Sequence, residues 1–276
     1  MAPDAPAPGP SVRRALGAGA FVLVWMVCGF AAHLSANAYL LLGVPLVLVF
    51  QRFVARRPLR ALWVRAAPPP TANASGWTIV VAVALVPLWQ LGSALVSGLG
   101  GDIVAWDVCA LGGSLGVAYA CLHQSRSGLR AAIPFAALAL FCGIFTMAGA
   151  AIITARSPWI DGARYAPFAL DLLLYLPVAF VLEEVVFRGA LDSYAGGDGI
   201  VGWRNFLGAV GVAGLWGLWH LPVIPDPLHL HVVVQLLAVH IPIGVFLAFA
   251  WRRGGTLLLP ALVHALVDAY RNAVLM

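Results

Sequence analysis

Long apolar segments dominate this 276-residue chain and restrict what it can fold into. The sequence is 62% hydrophobic and only 10% charged, whereas a soluble domain carries roughly 25% charged residues. An apolar segment of about 18 residues or more is typical of a transmembrane helix. Membrane-crossing strands would alternate apolar and polar residues over about 10 positions, and these segments do not. We therefore predict an all-α fold, a polytopic transmembrane helical bundle of about eight to nine spans.

The predicted spans divide the chain into three parts. Residues 1–14 are rich in Pro and Ala and are predicted to form a disordered N-terminal tail. Residues 15–164 are predicted to form N-terminal transmembrane helices, and residues 165–276 a helical core that carries most of the buried ionisable residues. The predicted spans lie near residues 15–34, 36–53, 77–97, 103–123, 131–154, 168–189, 204–221, 231–251 and 257–275. Between the second and third spans, residues 54–76 are predicted to form a cytoplasmic interfacial segment.

The positive residues are distributed unequally between the two sides of the predicted bundle. All sixteen are Arg, and only Arg156, Arg164 and Arg271 fall on one side. Because positive residues accumulate in cytoplasmic loops, this bias predicts a cytoplasmic N-terminus. The thirteen predicted cytoplasmic arginines are Arg13, Arg14, Arg52, Arg56, Arg57, Arg60, Arg65, Arg126, Arg130, Arg188, Arg204, Arg252 and Arg253.

Membrane topology and binding to the lipid bilayer explain the net charge of +5, so no nucleic acid partner is expected. The chain has no Lys and is rich in Ala, Gly and Pro, which is typical of a GC-rich bacterial genome. We therefore expect a multi-pass protein of a bacterial plasma membrane.

The segment "LPVAFVLEEVVFRGAL", residues 176–191, contains the only two glutamates of the chain. Glu184 and Arg188 are four residues apart and share a helical face, so they are predicted to form an ion pair. Glu183 then faces apolar neighbours such as Phe187 and is suited to act as a general base. The alternative is a buried ion pair that only fixes the packing of this helix.

Two further segments place ionisable side chains inside predicted spans. The segment "GLWGLWHLP", residues 214–222, contains His220 just before the helix-breaking Pro222. The segment "LLPALVHALVDAY", residues 258–270, contains His264 and Asp268. Because His264 and Asp268 are four residues apart, the aspartate can orient the imidazole. Ionisable groups within spans are costly unless they are paired or face a wet cavity, so these residues are candidates for a functional site. His240 also lies within a span, and its role stays open.

These three segments together resemble the CPBP family of intramembrane proteases. The matching motifs are "EEVVFR" at 183–188, "WGLWH" at 216–220 and "HALVD" at 264–268, and the resemblance covers about residues 165–275. The family includes the CAAX prenyl endopeptidases of the Rce1 type and the bacterial Abi-like proteins. Trp216 stands where the family usually has Phe. The resemblance implies that residues 165–276 form a CPBP-like catalytic helical core.

The resemblance also implies an activity and a role for each matching residue. The activity is that of an intramembrane endopeptidase, a hydrolase that cleaves a membrane-anchored peptide or protein. Glu183 would activate water, Glu184 and Arg188 would organise its helix, and the remaining site residues are His220, His264 and Asp268. Trp216 and Phe187 would line the substrate pocket.

Two mechanisms and two other functions stay open from the sequence. His220, His264 and Asp268 have the ligand count of a hydrolytic zinc site, as in a metalloprotease, but HxxxD is not the HExxH arrangement. In the metal-free alternative, which we favour, Glu183 takes the proton and the histidines stabilise the oxyanion. A proton-coupled membrane transporter would also carry buried acids and histidines. A catalytically silent membrane immunity or scaffold protein would keep the fold alone.

Overall fold

The protein is described by a computed structural model that covers residues 11–70, 73–98, 100–224, 227 and 229–276. Over these residues the chain is helical, which confirms the predicted all-α class. Two π-helices, Phe50–Val54 and Val185–Gly196, interrupt the series of α-helices. Within the described residues the α-helices are α1 (Val12–Ala32), α2 (Ala36–Val49), α3 (Ala74–Ser97), α4 (Gly101–His123), α5 (Arg126–Ile153), α6 (Tyr165–Ala179), α7 (Trp203–Trp219), α8 (Leu230–Gly254) and α9 (Leu258–Leu275).

Seven helical segments within the described residues are long and apolar enough to cross a membrane, judged by length and composition. They are Val12–Ala32, Ala36–Val54, Ala74–Ser97, Gly101–His123, Arg126–Ile153, Trp203–Val223 and Leu230–Gly254. The sixth and ninth predicted spans correspond to α6 and α9, which are not among the seven. These two helices carry the ionisable residues Asp171, His264 and Asp268, and pack inside the bundle against other helices.

The first helix begins before the predicted end of the N-terminal tail. Ser11 precedes α1, and its hydroxyl accepts a hydrogen bond from the backbone N–H of Arg14. This is the usual role of a serine at a helix N-terminus. Residues 12–14 are therefore helical, and the prediction of disorder was wrong for them. The rest of the predicted tail, apart from Ser11, lies outside the described residues.

The predicted sixth span, 168–189, is not a single helix. The α-helical part ends at Ala179, two residues after Pro177, and the chain turns before the π-helix Val185–Gly196 begins. Proline has no backbone N–H and disturbs the preceding helical turn, so it favours a break close to this point. Glu183 and Glu184 are the first residues of the helical segment after the turn, where Glu184 is fully buried and Glu183 is 18% exposed. Long π-helices are rare, and π-helical turns often occur at functional sites.

Arg188 was wrongly predicted to lie at a cytoplasmic helix end. It is located in the π-helix, and its side chain is 1% exposed. The sequence pattern misled because an arginine after an apolar segment is typical of a membrane boundary. Here the arginine is buried, since a carboxylate one turn earlier in the chain pairs with it.

The predicted interfacial segment 54–76 also lies partly inside the protein. Leu62 is buried, and the indole N–H of Trp63 donates to the carbonyl of Phe180 at 2.5 Å. The backbone of the same segment forms an antiparallel bridge between Val64 and Thr256, and Leu257 N–H donates to Trp63 O at 3.0 Å. The segment therefore fills the space between the turn after α6 and the turn after α8.

Helices from the two predicted regions pack directly on one another. The fifth helix lies against both α8 and α9, and α4 lies against α6. Small residues allow close contact at these crossings: a Cβ atom on Gly113 would lie 1.9 Å from Pro177 O, and one on Gly143 would lie 2.4 Å from the Val267 side chain. Because helices of the two regions pack together, the division at residue 165 stays a prediction about the role of each region and not about its packing.

Candidate active site

The turn between α6 and the π-helix gives the two adjacent glutamates different surroundings. Glu184 is fully buried, and its Oε2 lies 3.4 Å from Nε of Arg188, so the predicted pairing is present. The side chain of Glu183 is 18% exposed. Its Oε2 accepts a hydrogen bond of 2.7 Å from the indole N–H of Trp216. Only Glu183 is therefore accessible to water or substrate.

The buried Arg188 guanidinium rests between a carboxylate and an aromatic ring. Its Cζ atom lies 4.4 Å from the centroid of the Trp216 ring, in a cation–π arrangement. Among the described residues, no hydrogen-bond acceptor is in good geometry for its three nitrogens. Its positive charge is thus balanced by Glu184 and by the Trp216 ring, and it holds the ring that contacts Glu183.

His220 follows the last residue of α7 and presents one ring nitrogen to Glu183. Its Nδ1 lies 2.9 Å from Trp216 O, and a carbonyl can only accept, so Nδ1–H is the donor. In the neutral ring Nε2 is then an acceptor, and it lies 3.8 Å from Glu183 Oε2. This distance is too long for a direct hydrogen bond and suits one bridging water.

His264 connects both glutamates with the aspartate of the third motif. Its Nδ1–H donates to Glu184 Oε1 at 2.8 Å. Its Nε2 lies 3.4 Å from Asp268 Oδ2 and 3.8 Å from Glu183 Oε2. On its other side, Asp268 pairs with Arg271 Nη1 at 2.9 Å. The predicted site residues from three separate segments therefore meet around the Glu183 carboxylate.

A cavity of about 280 Å³ borders this cluster. Its walls include every site residue named above that touches Glu183, together with Ile224 and apolar side chains of α5, α8 and α9. The polar and aromatic lining consists of Glu183, Trp216, His220, His240, His264, Asp268 and Arg271. Phe187, which was predicted to line the substrate pocket, does not line this cavity. It is fully buried behind it, where its ring contacts those of Trp216 and Trp219.

The part of the chain that builds this cluster matches a known family. Residues 165–270 match the family model described as type II CAAX prenyl endopeptidase Rce1-like. These residues resemble that family and are called the Rce1-like region below. The resemblance predicted from the three motifs is thereby confirmed, and the family supports a CAAX-type intramembrane endopeptidase in a multi-pass membrane protein. Comparison with curated proteins and with solved structures finds no match for the chain.

The Rce1-like region contributes one ionisable residue to the cavity that the motifs do not include, His240. The His240 ring lies 4.4 Å from the His220 ring and 4.6 Å from the Trp216 ring, centroid to centroid. Its Nδ1 lies 2.7 Å from Leu236 O, so Nδ1–H donates and Nε2 is free in the neutral ring. The signal in the sequence was an ionisable residue in the middle of an apolar helix.

The donors of the Rce1-like region are not arranged as metal ligands in the structure. Within the described part of the chain, no three His, Cys, Asp or Glu side chains are placed to hold an ion. Of the expected ligands, His220 Nε2 and His264 Nε2 each lie 3.8 Å from Glu183 Oε2, and His264 Nε2 lies 3.4 Å from Asp268 Oδ2. Zinc–ligand bonds of about 2.0–2.2 Å would require these side chains to converge on a common point.

Proposed function

We propose that this protein is an intramembrane endopeptidase that hydrolyses a peptide bond in a membrane-anchored peptide or protein. Residues 165–276 are its catalytic core, and the enzyme works in a bacterial plasma membrane with its N-terminus in the cytoplasm. The observation that carries the proposal is the partly exposed carboxylate of Glu183, whose Oε2 lies 3.8 Å from Nε2 of both His220 and His264 at the wall of a cavity inside the bundle.

In this proposal Glu183 is the general base. A water molecule between Glu183 Oε2 and His220 Nε2 donates one hydrogen to each, which leaves a lone pair of its oxygen free to attack. As the oxygen bonds to the scissile carbonyl carbon, Glu183 takes the water proton. The Trp216 indole N–H keeps the Glu183 carboxylate in place.

His264 is the proposed oxyanion donor. His264 acts in its doubly protonated form: Nδ1–H donates to Glu184, and Nε2–H faces the cavity and donates a hydrogen bond to the carbonyl oxygen as it becomes negative. Asp268, tied to Arg271, fixes the other edge of the ring. The proton on Glu183 then passes to the amide nitrogen as the C–N bond breaks, which restores the carboxylate.

The substitution Glu183→Gln tests the assignment of the base. Glutamine keeps the volume and the hydrogen bond to Trp216 but removes the basic oxygen, so cleavage should fall by about 100-fold or more. The measurement compares membrane peptides of cells that carry the wild type with those of cells that carry the variant. Equal cleavage in both would contradict the proposal.

The matched substitution Glu184→Gln should act through stability. It leaves the Arg188 charge without its buried partner, and breaking such a pair costs about 3–5 kcal/mol. Thermal melting in detergent should therefore fall for this variant and stay near the wild-type value for Glu183→Gln. If Glu184→Gln were stable and inactive while Glu183→Gln stayed active, the two roles would be reversed.

Metal removal tests the metal-free form of the mechanism. Because Glu183 and the two histidines suffice in this proposal, protein treated with a chelator should keep its full cleavage rate. Metal content of the active preparation is measured alongside. Loss of activity on chelation, with recovery on adding zinc, would establish a metalloprotease instead.

A further inference from the structure

The two ends of the helical bundle differ strongly in charge. Of the thirteen arginines predicted on the cytoplasmic side, Arg188 is buried in the bundle, which leaves twelve for that side. Contacts between distant segments bring several of these twelve together. Arg252 pairs with Asp192, the side chain of Arg65 pairs with Asp198, and the Arg14 guanidinium lies over the Tyr194 ring. We call this the arginine-rich end; it holds the start of α1, α5 and α7 and the end of α4 and α8.

The opposite end carries three arginines. Arg156 and Arg164 donate to carbonyl oxygens near the end of α9, Leu275 O and Ala273 O. Arg271 lies one turn before that end, and the hydroxyl of Tyr270 donates to Pro158 O at 2.6 Å. The end of α5, the start of α6 and the end of α9 therefore lie together, away from the arginine-rich end.

The catalytic cavity lies toward this opposite end. His220 follows α7, whose 17 residues place it about 25 Å from the helix start at the arginine-rich end. The hydroxyl of Tyr39, near the start of α2, donates to Trp219 O at 2.8 Å. Arg271, at the opposite end, and Ile224, which follows the short helical turn after His220, line the cavity.

We propose that the cavity opens on the extracytoplasmic side of the membrane, so that the substrate is a membrane-anchored peptide whose scissile bond lies on that side. Positive residues accumulate on the cytoplasmic side, and twelve against three places the arginine-rich end there. The cavity mouth then lies at the other surface. His264, one of the reacting groups, is eleven residues before the end of α9 and therefore lies about 16 Å below that surface.

This substrate class rests on the proposed function, whereas the side on which the cavity opens does not. An exported or lipid-anchored protein, or the outer flank of a transmembrane segment, presents a peptide bond at the required depth. A cytoplasmic C-terminus would approach from the arginine-rich end, away from the cavity residues Ile224 and Arg271. The proposal therefore excludes cytoplasmic lipidated tails as substrates.

Cysteine labelling tests the side without requiring activity. The four native cysteines are first replaced by alanine, and this parent is the background control. Single cysteines are then introduced at two exposed serines. Ser127→Cys lies in the first turn of α5, and Ser157→Cys lies just after the end of α5. A third variant, Ile224→Cys, reports on the cavity mouth.

A membrane-impermeant maleimide added to intact cells should label Ser157→Cys and Ile224→Cys, and should label Ser127→Cys only after permeabilisation. The reverse pattern for the two α5 positions would overturn the proposal. Both cysteines should be accessible after denaturation. If intact cells label Ser157→Cys and not Ile224→Cys, the cavity does not open on the extracytoplasmic side, and this result would also overturn the proposal. The same pattern is expected with Glu183→Gln added, which separates the side from the chemistry.

The substrate class is tested by locating the bonds whose cleavage depends on Glu183. Membrane peptides from wild-type and Glu183→Gln cells should differ at bonds on extracytoplasmic segments of proteins with known topology. Glu183-dependent cleavage of cytoplasmic segments would overturn the proposed substrate class and leave the protease function intact. If no cleavage depended on Glu183, the proposed function and the substrate class would fail, whereas the labelling result would still stand.

Discussion

At the residue scale, neighbouring carboxylates differ because of the groups that reach them. Glu184 contacts a guanidinium and an imidazole nitrogen and has no exposed surface. Glu183 contacts an indole N–H and a cavity. A carboxylate that is already paired on both sides is a poor proton acceptor, and one that faces a cavity is available for catalysis.

The hydrogen bond from Trp216 predicts a specific effect of Trp216→Phe. Phenylalanine keeps an aromatic ring beside Arg188 but cannot donate to Glu183, and a hydrogen bond to a charged group contributes about 1.5–3 kcal/mol. The turnover number should fall by about 10-fold or more, since about 1.4 kcal/mol corresponds to a factor of ten. Kinetics on a cleaved peptide should show little change in KM.

Trp219→Phe is the matched control for that experiment. Trp219 is also buried, but within the described residues its indole N–H has no hydrogen-bond partner. Losing that N–H therefore removes no contact with the site. Equal losses of turnover in the two variants would mean that ring size, and not the bond to Glu183, is what matters.

The sequence predicted the identity of these residues better than their contacts. The spacing of Glu184 and Arg188 was sufficient to predict their pairing, because both lie within one helical turn. The bond between Trp216 and Glu183 joins residues 33 positions apart, and no local spacing could indicate it. The place of His240 beside His220 depends on how α7 packs on α8, which the sequence pattern does not specify.

At the element scale, the break after α6 explains how Glu183 and His220 come to lie at the same depth in the bundle. A straight sixth span would have placed Glu183 near the arginine-rich end and His220 far from it. The turn at residues 180–182 and the buried π-helix instead keep Glu183 inside the bundle. Hydrophobicity alone could not indicate the break, since apolar residues such as Val178, Phe180 and Leu182 continue through it.

The contact between α4 and α6 predicts the effect of Gly113→Ala. The new methyl group would lie 1.9 Å from Pro177 O, so the helices must separate near the turn that carries the glutamates. Overpacking of this kind costs about 1–3 kcal/mol. Melting in detergent should reveal the loss, and activity should fall with it.

Gly112→Ala is the control, because a Cβ atom at Gly112 meets nothing within 4 Å. It should melt at or slightly above the wild-type temperature, as alanine favours the helix more than glycine does. Gly112 and Gly116 form a GxxxG pattern, which is typical of a close helix contact. The structure assigns the contact with α6 to Gly113, whereas Gly116 packs against the Trp63 ring.

At the scale of the whole molecule, the segment after α2 connects distant parts of the bundle. Trp63 donates to Phe180 O beside the glutamate turn, and the same residue accepts from Leu257 N–H before α9. The composition of this segment suggested a membrane surface, because arginines alternate with Leu and Trp. Its burial follows from long-range contacts that composition does not contain.

Trp63→Phe should therefore reduce stability and activity together. It leaves the carbonyl of Phe180 without its donor, and an unsatisfied buried acceptor costs about 1–3 kcal/mol. Since Phe180 is three residues before Glu183, cleavage should also slow. The two measurements are detergent melting and peptide cleavage, with the 58% exposed Trp77, changed to Phe, as the control. Unchanged activity in a destabilised Trp63→Phe protein would show that the segment supports the fold only.

The bridge between Val64 and Thr256 also bears on the order of events during synthesis. The ribosome synthesises the segment after α2 long before it reaches Thr256, His264 and Asp268. The bridge to Thr256 and the contacts of His264 and Asp268 therefore form only when the chain is nearly complete. Contacts of such long separation form late and leave intermediates exposed. A chain released early would hold Glu183 and Glu184 in the bilayer without the imidazole of His264. Such a fragment would have no peptidase activity and would be a substrate for membrane quality control.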